Sequence, residues 1–198
     1  VVPVDAAQPP LGAIDQAVSA LQRGGVVGFP TETFYGLGAA MASEEAVARI
    51  FRVKGRPESK PLLLLVESVA MAEAVAEVSE TARTFMARYW PGALTLVLRA
   101  RPAVPMLVTA GTGTVGVRHS AHPVAAALVR RLEGPVTAPS ANRSGAVPPV
   151  TAKEVLDAFA GEIEVLIDGG PTAGGLPSTV LDLTVSPPRV RRQGAVVL

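Results

Sequence analysis

The chain is 198 residues long, 48% hydrophobic and 18% charged, with 18 basic against 17 acidic side chains and no cysteine. This composition excludes disulfide scaffolds, thiolate metal sites and cysteine nucleophiles, and a formal net charge of +1 leaves little bulk attraction for nucleic acid or membrane. The 19 glycines and 18 prolines follow no collagen-like period and are interleaved with apolar runs, so neither a fibre nor a disordered chain fits.

A helix is expected from Leu11 to Arg23, where Leu11, Ile14, Val18 and Leu21 share one face and Gly24-Gly25 end it. Val26 to Phe29 reads as a short buried strand closed by Pro30. Ser43 is placed to cap a second helix whose first turn carries Glu44 and Glu45 and whose apolar face is Val47, Ile50 and Phe51. Leu62 to Val66 is a continuous apolar run, as in a strand buried on both faces. Two helical stretches follow, Ser68 to Val78 and Ser79 to Tyr89, then strands at Ala93–Arg99 and Thr114–Arg118. His122 to Leu132 is helical with Pro123 in its first turn, and Val136 to Ala138 is a short strand. Thr151 and Glu154 match a capping box opening a helix through Phe159. Strands at Ile163–Asp168, Thr179–Leu183 and Arg189–Arg192 complete the order. The alternation predicts an α/β fold around one mixed sheet, with residues 1–198 as a single domain. Val1 to Pro10 has no basic segment leading into an apolar signal core, and no apolar run approaches the roughly 20 residues of a membrane span. The expectation is a soluble, cytoplasmic protein that meets no membrane.

Three motifs fail on context. Gly111-Thr112-Gly113-Thr114-Val115-Gly116 spells a dinucleotide fingerprint, but an extended stretch follows where that motif needs a helix. His119 and His122 have metal-like spacing without an evident third ligand, and a surface or capping role fits better. Asn142-Arg143-Ser144 is a glycosylation triplet by spelling only. Four polar clusters remain, each at the end of an apolar element: Pro30 to Gly38, Lys54 to Pro61, Pro139 to Gly145, and Ser178-Thr179 with Arg191-Arg192 after the glycine-rich stretch Gly169 to Gly175. Lys54, Arg56 and Lys60 outnumber Glu58 in their loop; they suit phosphate oxygens equally well as they suit a solvated helix C-terminus. Together, the clusters suggest strand-end loops converging on a polyanionic ligand.

The runs Pro30-Thr31-Glu32-Thr33, Tyr35-Gly36-Leu37-Gly38, Lys54-Gly55-Arg56, Trp90-Pro91-Gly92-Ala93-Leu94-Thr95, Val117-Arg118, Ala138-Pro139-Ser140-Ala141-Asn142, Asp168-Gly169-Gly170 and Ser178-Thr179-Val180 occur in order from about Leu11 to Gly194. In this the chain resembles the YrdC-like threonylcarbamoyl-AMP synthases. The resemblance implies a twisted, mixed and antiparallel sheet with helices around a central positively charged cavity. It implies synthesis of threonylcarbamoyl-AMP and pyrophosphate from ATP, L-threonine and bicarbonate, with magnesium accompanying the nucleotide. It also implies partner proteins that carry the threonylcarbamoyl group to tRNA. Carried over by position, it puts Thr33, Arg118, Ala138 and Ser178 at threonine and Lys54, Arg56, Lys60, Thr114, Ser140, Asn142 and Arg192 around ATP, with Lys54 and Arg56 as the catalytic cations facing the cavity.

Departures from the family pattern are Leu65 where relatives commonly carry His, Lys60 for Asn, Pro177 for Glu, Pro148 for Ser and Gln193 for Pro. Leu65 implies one polar threonine contact fewer. The chain ends at Leu198, so the C-terminal extra domain of longer members is not expected. The departures and the basic Arg189-Arg191-Arg192 strand keep a second reading open, a non-catalytic nucleotide- or RNA-binding paralogue with at most weak RNA affinity. A carbamoyl-handling domain of hydrogenase maturation is a third, disfavoured by the lack of fused domains.

Overall fold

The computed structural model describes residues 1–198. In chain order the elements are β1 (Val2–Pro3), α1 (Leu11–Gln22), β2 (Val27–Pro30), β3 (Tyr35–Gly38), α2 (Glu44–Lys54), β4 (Leu63–Leu65), α3 (Val69–Val75), α4 (Glu80–Tyr89), β5 (Leu94–Arg99), α5 (Met106–Thr109), β6 (Thr114–Arg118), α6 (Pro123–Leu132), β7 (Val136–Thr137), α7 (Ala152–Phe159), β8 (Val165–Asp168), β9 (Thr179–Asp182) and β10 (Arg189–Arg192). The helix starts follow the capping chemistry. The hydroxyls of Ser43, Ser68 and Ser79 accept from the backbone N–H three residues on, and Thr151 and Glu154 form the reciprocal capping box. Helix α3 is shorter than its apolar pattern because Ala76 is extended and forms a β-bridge with Ala100.

The strands form two mixed sheets where the sequence suggested one. The smaller has the order β1-β8-β2-β3 and the larger β10-β9-β5-β6-β4-β7. They meet along β3 and β7. There, Gly36 and Ser140 form an isolated bridge, Ala40 and Val136 another, and the buried Thr137 hydroxyl accepts from the Ala39 N–H at 2.9 Å. Strand β3 was expected to be a binding loop; it pairs antiparallel with β2 from Val27↔Gly38 to Pro30↔Tyr35. Its glycines hide it from propensity but serve packing. A Cβ on Gly38 would come within 2.8 Å of both Phe29 and Val136, so only glycine lets the two sheets close.

Two hydrophobic clusters support the sheets. The larger, including Leu64, Leu94, Leu96, Leu98, Val115, Val117 and Leu181, fills one face of the six-stranded sheet with side chains of α2, α3 and α4, and continues through Leu37 and Leu166 to α7, which packs on β2 and β8. The smaller joins α1 and α6 to β2 and β8 and includes Leu65. Strand alternation then turns Thr95, Val97, Thr114, Gly116 and Arg118 to the opposite face, which is the floor of a cavity. No helix is long and apolar enough to cross a membrane.

Replacing Gly38 with Ala forces Phe29 and Val136 apart. The expected loss is about 1–3 kcal/mol, in the range of overpacked cores, read as a lowered denaturation midpoint at unchanged m-value.

Candidate functional site

The cavity has a volume of about 320 Å³ and is lined from both sheets. The β2–β3 turn and β3 contribute Thr31, Thr33, Tyr35 and Gly36; the larger sheet contributes Leu63, Thr95, Thr114, Gly116, Arg118, Val180 and Arg192. Loops complete it with Arg56, Ala138, Ser140, Pro148, Pro177 and Ser178. Of the sequence-predicted residues, Thr33, Arg56, Thr114, Arg118, Ala138, Ser140, Ser178 and Arg192 therefore share one cavity.

Three guanidinium groups face this space, and each is held by the same edge. Arg118, buried at the end of β6, donates its Nε–H to Glu32 Oε1 at 3.1 Å and holds Nη2 in ion-pair contact with the same oxygen at 2.8 Å, while Nη2 donates to Thr33 Oγ1 at 3.4 Å. Arg192 gives Nε and Nη2 to the Ser178 carbonyl at 3.1 and 2.9 Å, and Nη2 also reaches Ser178 Oγ. Arg56 gives Nε to the Lys60 carbonyl at 3.2 Å and Nη2 to the Pro61 carbonyl at 2.8 Å. In all three the Nη1 amine has no protein partner, so one edge is anchored while donors remain for a ligand. Burial lowers the pKa values of Arg192 and Arg56, and the charge of Arg118 lowers that of Arg192 further. No Asp or Glu lines the cavity. The cavity is therefore locally cationic in a nearly neutral chain, as focused charge requires.

Hydroxyls supply the remaining polarity. Ser178 Oγ and Thr95 Oγ1 are 2.9 Å apart, as are the hydroxyls of Thr112 and Thr114, and those of Thr31 and Thr33 are 3.1 Å apart. Tyr35 is fully buried; its phenol donates to the Gly170 carbonyl at 2.7 Å, tying the glycine-rich loop to β3, and burial beside Asp168 pushes its pKa up to about 12. The Gly174 N–H donates to the Thr33 carbonyl, so that loop braces the β2–β3 turn from outside the cavity.

Several expectations are corrected. Lys54 does not face the cavity. Its ammonium is buried and donates to the carbonyls of Ser140 and Asn142, both at 2.5 Å, clamping the Pro139–Gly145 loop to the end of α2. Burial first and the nearby Arg56 second lower its pKa to about 8, while the two carbonyl dipoles favour the charged form. Asn142 also works within the loop, accepting from Ser140 Oγ at 2.6 Å and donating to the Arg143 and Ala146 carbonyls. Lys60 is exposed and contributes its carbonyl to Arg56. Arg143 turns away, pairing with Glu162 over the ring of Phe159, and Arg191 pairs with buried Asp182. Leu65 packs in the smaller core cluster away from the cavity. The capping role expected of His122 holds: its Nδ1 accepts from the Val124 N–H at the start of α6. The sequence reading passed over Glu32 and Ser120; the signal available was the acid lodged between Thr31 and Thr33 in an otherwise neutral turn.

For magnesium, the residues present do not fit a resident ion. No carboxylate or imidazole lines the cavity, and no group of three or more His, Cys, Asp or Glu side chains gathers elsewhere.

A cationic cavity between two mixed sheets defines an α/β protein whose lining suits an anion, and comparison with known proteins refines that class. Residues 19–194 match the Sua5/YciO/YrdC family model, described as telomere recombination, and the chain belongs to this family. It is 46% identical over 183 residues to a threonylcarbamoyl-AMP synthase of Pyrococcus abyssi and 43% identical over 185 residues to one of Bacillus subtilis, covering 92% of this chain in each case. It spans about half the length of those curated relatives, 54% of each. The crystal structure of P. abyssi Sua5 complexed with L-threonine superposes with a TM-score of 0.94 at 44% identity, over 98% of this chain and 57% of that one.

The clamp separates two kinds of cation by stability. Lys54→Met strands two carbonyl oxygens and is expected to cost about 1–3 kcal/mol, whereas Arg56→Ala, which releases only loop carbonyls at a partly exposed site, is expected to cost under about 1 kcal/mol. Thermal unfolding of the two variants beside the wild type measures the difference.

Proposed function

We propose that this chain is an L-threonylcarbamoyladenylate synthase, forming threonylcarbamoyl-AMP and pyrophosphate from L-threonine, bicarbonate and ATP. The observation that carries the reading is the cavity with three half-anchored arginines, in a fold that superposes on a relative described with L-threonine bound. In this reading the Arg118 guanidinium receives the threonine carboxylate, and the hydroxyls of Thr33 and Ser178 and the backbone of Ala138 stand beside the amino acid. The amine nitrogen attacks carbon dioxide released from bicarbonate, loses a proton and becomes a carbamate. A carbamate oxygen then attacks the α-phosphorus of ATP, and the bond from that phosphorus to the bridging oxygen breaks to release pyrophosphate.

No protein nucleophile enters this sequence, in keeping with a lining of hydroxyls, arginines and apolar groups. Arg56 and Arg192 neutralise phosphate charge as it shifts toward the leaving group, with Thr114 and Ser140 as hydroxyl donors beside them. Their anchored edges mean that little reorientation is needed at the moment of reaction. Lys54 and Asn142 act one step back, shaping the loop that presents Ser140. Magnesium belongs to the nucleotide here, held by phosphate oxygens and water and entering with ATP. The activated threonylcarbamoyl group is a substrate for a transferase that modifies tRNA, which supplies the partner proteins of this reading.

Incubation with ATP, threonine and bicarbonate is expected to release pyrophosphate only when threonine is present; release without threonine, or none, overturns the proposal. Arg56→Ala and Arg192→Ala are each expected to lower kcat/KM for ATP by about 100-fold, the scale of losing one preorganised donor to developing charge.

A further inference from the structure

Glu32 is the carboxylate that pairs with a cavity arginine, and it does so from behind. Its Oε1 accepts the Nε–H of Arg118 and lies in ion-pair contact with Nη2, and its Oε2 accepts from the Ser120 hydroxyl. Ser120 Oγ in turn accepts from the His122 N–H at the start of α6. Glu32 does not line the cavity. Burial alone would raise its pKa, but the charge of Arg118, the Ser120 hydroxyl and the hydrogen bond from Arg118 outweigh burial and hold the carboxyl below its usual range. It is ionised and fully employed.

This arrangement leaves Arg118 with little freedom. Its Nε–Nη2 edge, which would otherwise offer a ligand carboxylate the parallel bidentate fork, is already occupied. Only the far end of the guanidinium, with Nη1, remains for a ligand. An arginine held this way meets an incoming carboxylate end-on in one orientation, and its rotamer entropy is spent before binding. Glu32 comes from the β2–β3 turn of the smaller sheet and Arg118 from β6 of the larger, so the orientation of the guanidinium depends on how the two sheets are set against each other.

We propose that Glu32, steadied by Ser120, is a positioning residue that sets the orientation in which Arg118 receives the amino-acid carboxylate, and so governs affinity for the amino acid separately from affinity for the nucleotide. This rests on the functional reading above. Position matters more than charge in this role, because the acceptor oxygen must meet the Nε–H of Arg118 and stay in contact with Nη2. Two substitutions separate the alternatives: Glu32→Gln keeps an acceptor oxygen at the same reach and loses the charge, whereas Glu32→Asp keeps the charge and withdraws it by one methylene.

The test is calorimetric titration of threonine and, separately, of ATP into the wild-type chain and both variants, with circular dichroism and thermal melting to establish that each variant is folded. Glu32→Gln is expected to bind threonine within threefold of wild type, and Glu32→Asp to bind it at least tenfold more weakly, with the affinity of both variants for ATP changed less than threefold. Ser120→Ala, a smaller perturbation that leaves Arg118 paired, is expected to weaken threonine two- to fivefold. The proposal is overturned if Glu32→Asp binds threonine like wild type, if Glu32→Gln loses as much as Glu32→Asp, or if threonine and ATP weaken together. A wild-type chain that binds ATP but not threonine would instead bring down the functional reading, and this inference with it; a folded wild type that binds threonine while the variants do not differ brings down this inference alone.

Discussion

The ion pair between Glu32 and Arg118 is the constraint on which the site depends. It joins a turn of the four-stranded sheet to the last residue of β6 in the six-stranded sheet, at the point where the two sheets face each other across the cavity. Burying such a pair is costly unless its remaining donors and acceptors are met, and here they are: Ser120 serves the second carboxylate oxygen and Thr33 approaches the guanidinium. No buried side-chain polar atom of the chain lacks a partner. Sheet packing, the shape of the β2–β3 turn and the direction of a charged donor are thereby one coupled arrangement.

The same economy recurs around the cavity. Arg192 and Arg56 rest on carbonyl oxygens, which orient a guanidinium without cancelling its charge. Arg118 alone rests on a carboxylate. The result is a graded site, with uncompensated cations where the nucleotide phosphates are proposed and a compensated one where a single carboxylate is proposed. A net charge of +1 for the whole chain is compatible with this because neighbouring basic groups are occupied elsewhere: Arg143 with Glu162, Arg191 with Asp182, and Lys54 with two carbonyls. Charge is focused by placement rather than by excess.

Much of the local structure was legible in the residues. Ser43 and the Thr151–Glu154 pair mark helix starts because their side chains satisfy N–H groups that a helix leaves open. The apolar runs at Leu62–Val66 and Ala93–Arg99 mark strands because their alternate residues are needed on one face of the core. Strand β3 was hidden, since Tyr35-Gly36-Leu37-Gly38 has the composition of a turn, yet it pairs with β2 and its Gly38 leaves room for Phe29 and Val136 where the sheets meet. The division into two sheets was hidden for another reason: pairing partners lie far apart in sequence, as with β2 and β8 or β5 and β9.

The site divides along similar lines. The sequence by itself determined which residue types gather at the strand ends, and their order carried the family, because loops that bind a polyanion need arginines, hydroxyls and glycines whatever the surrounding packing. Only the tertiary structure decided which cation does what. Lys54 and Arg56 are two residues apart, yet α2 ends between them: Lys54 closes its last turn and points under the Ser140 loop, while Arg56 follows the left-handed Gly55 and lines the cavity. Glu32 is equally ambiguous in the sequence, an acid in a turn, until β6 brings Arg118 alongside. Direction and partnership are set by backbone geometry and by contacts between distant segments, and neither can be read from residue order alone.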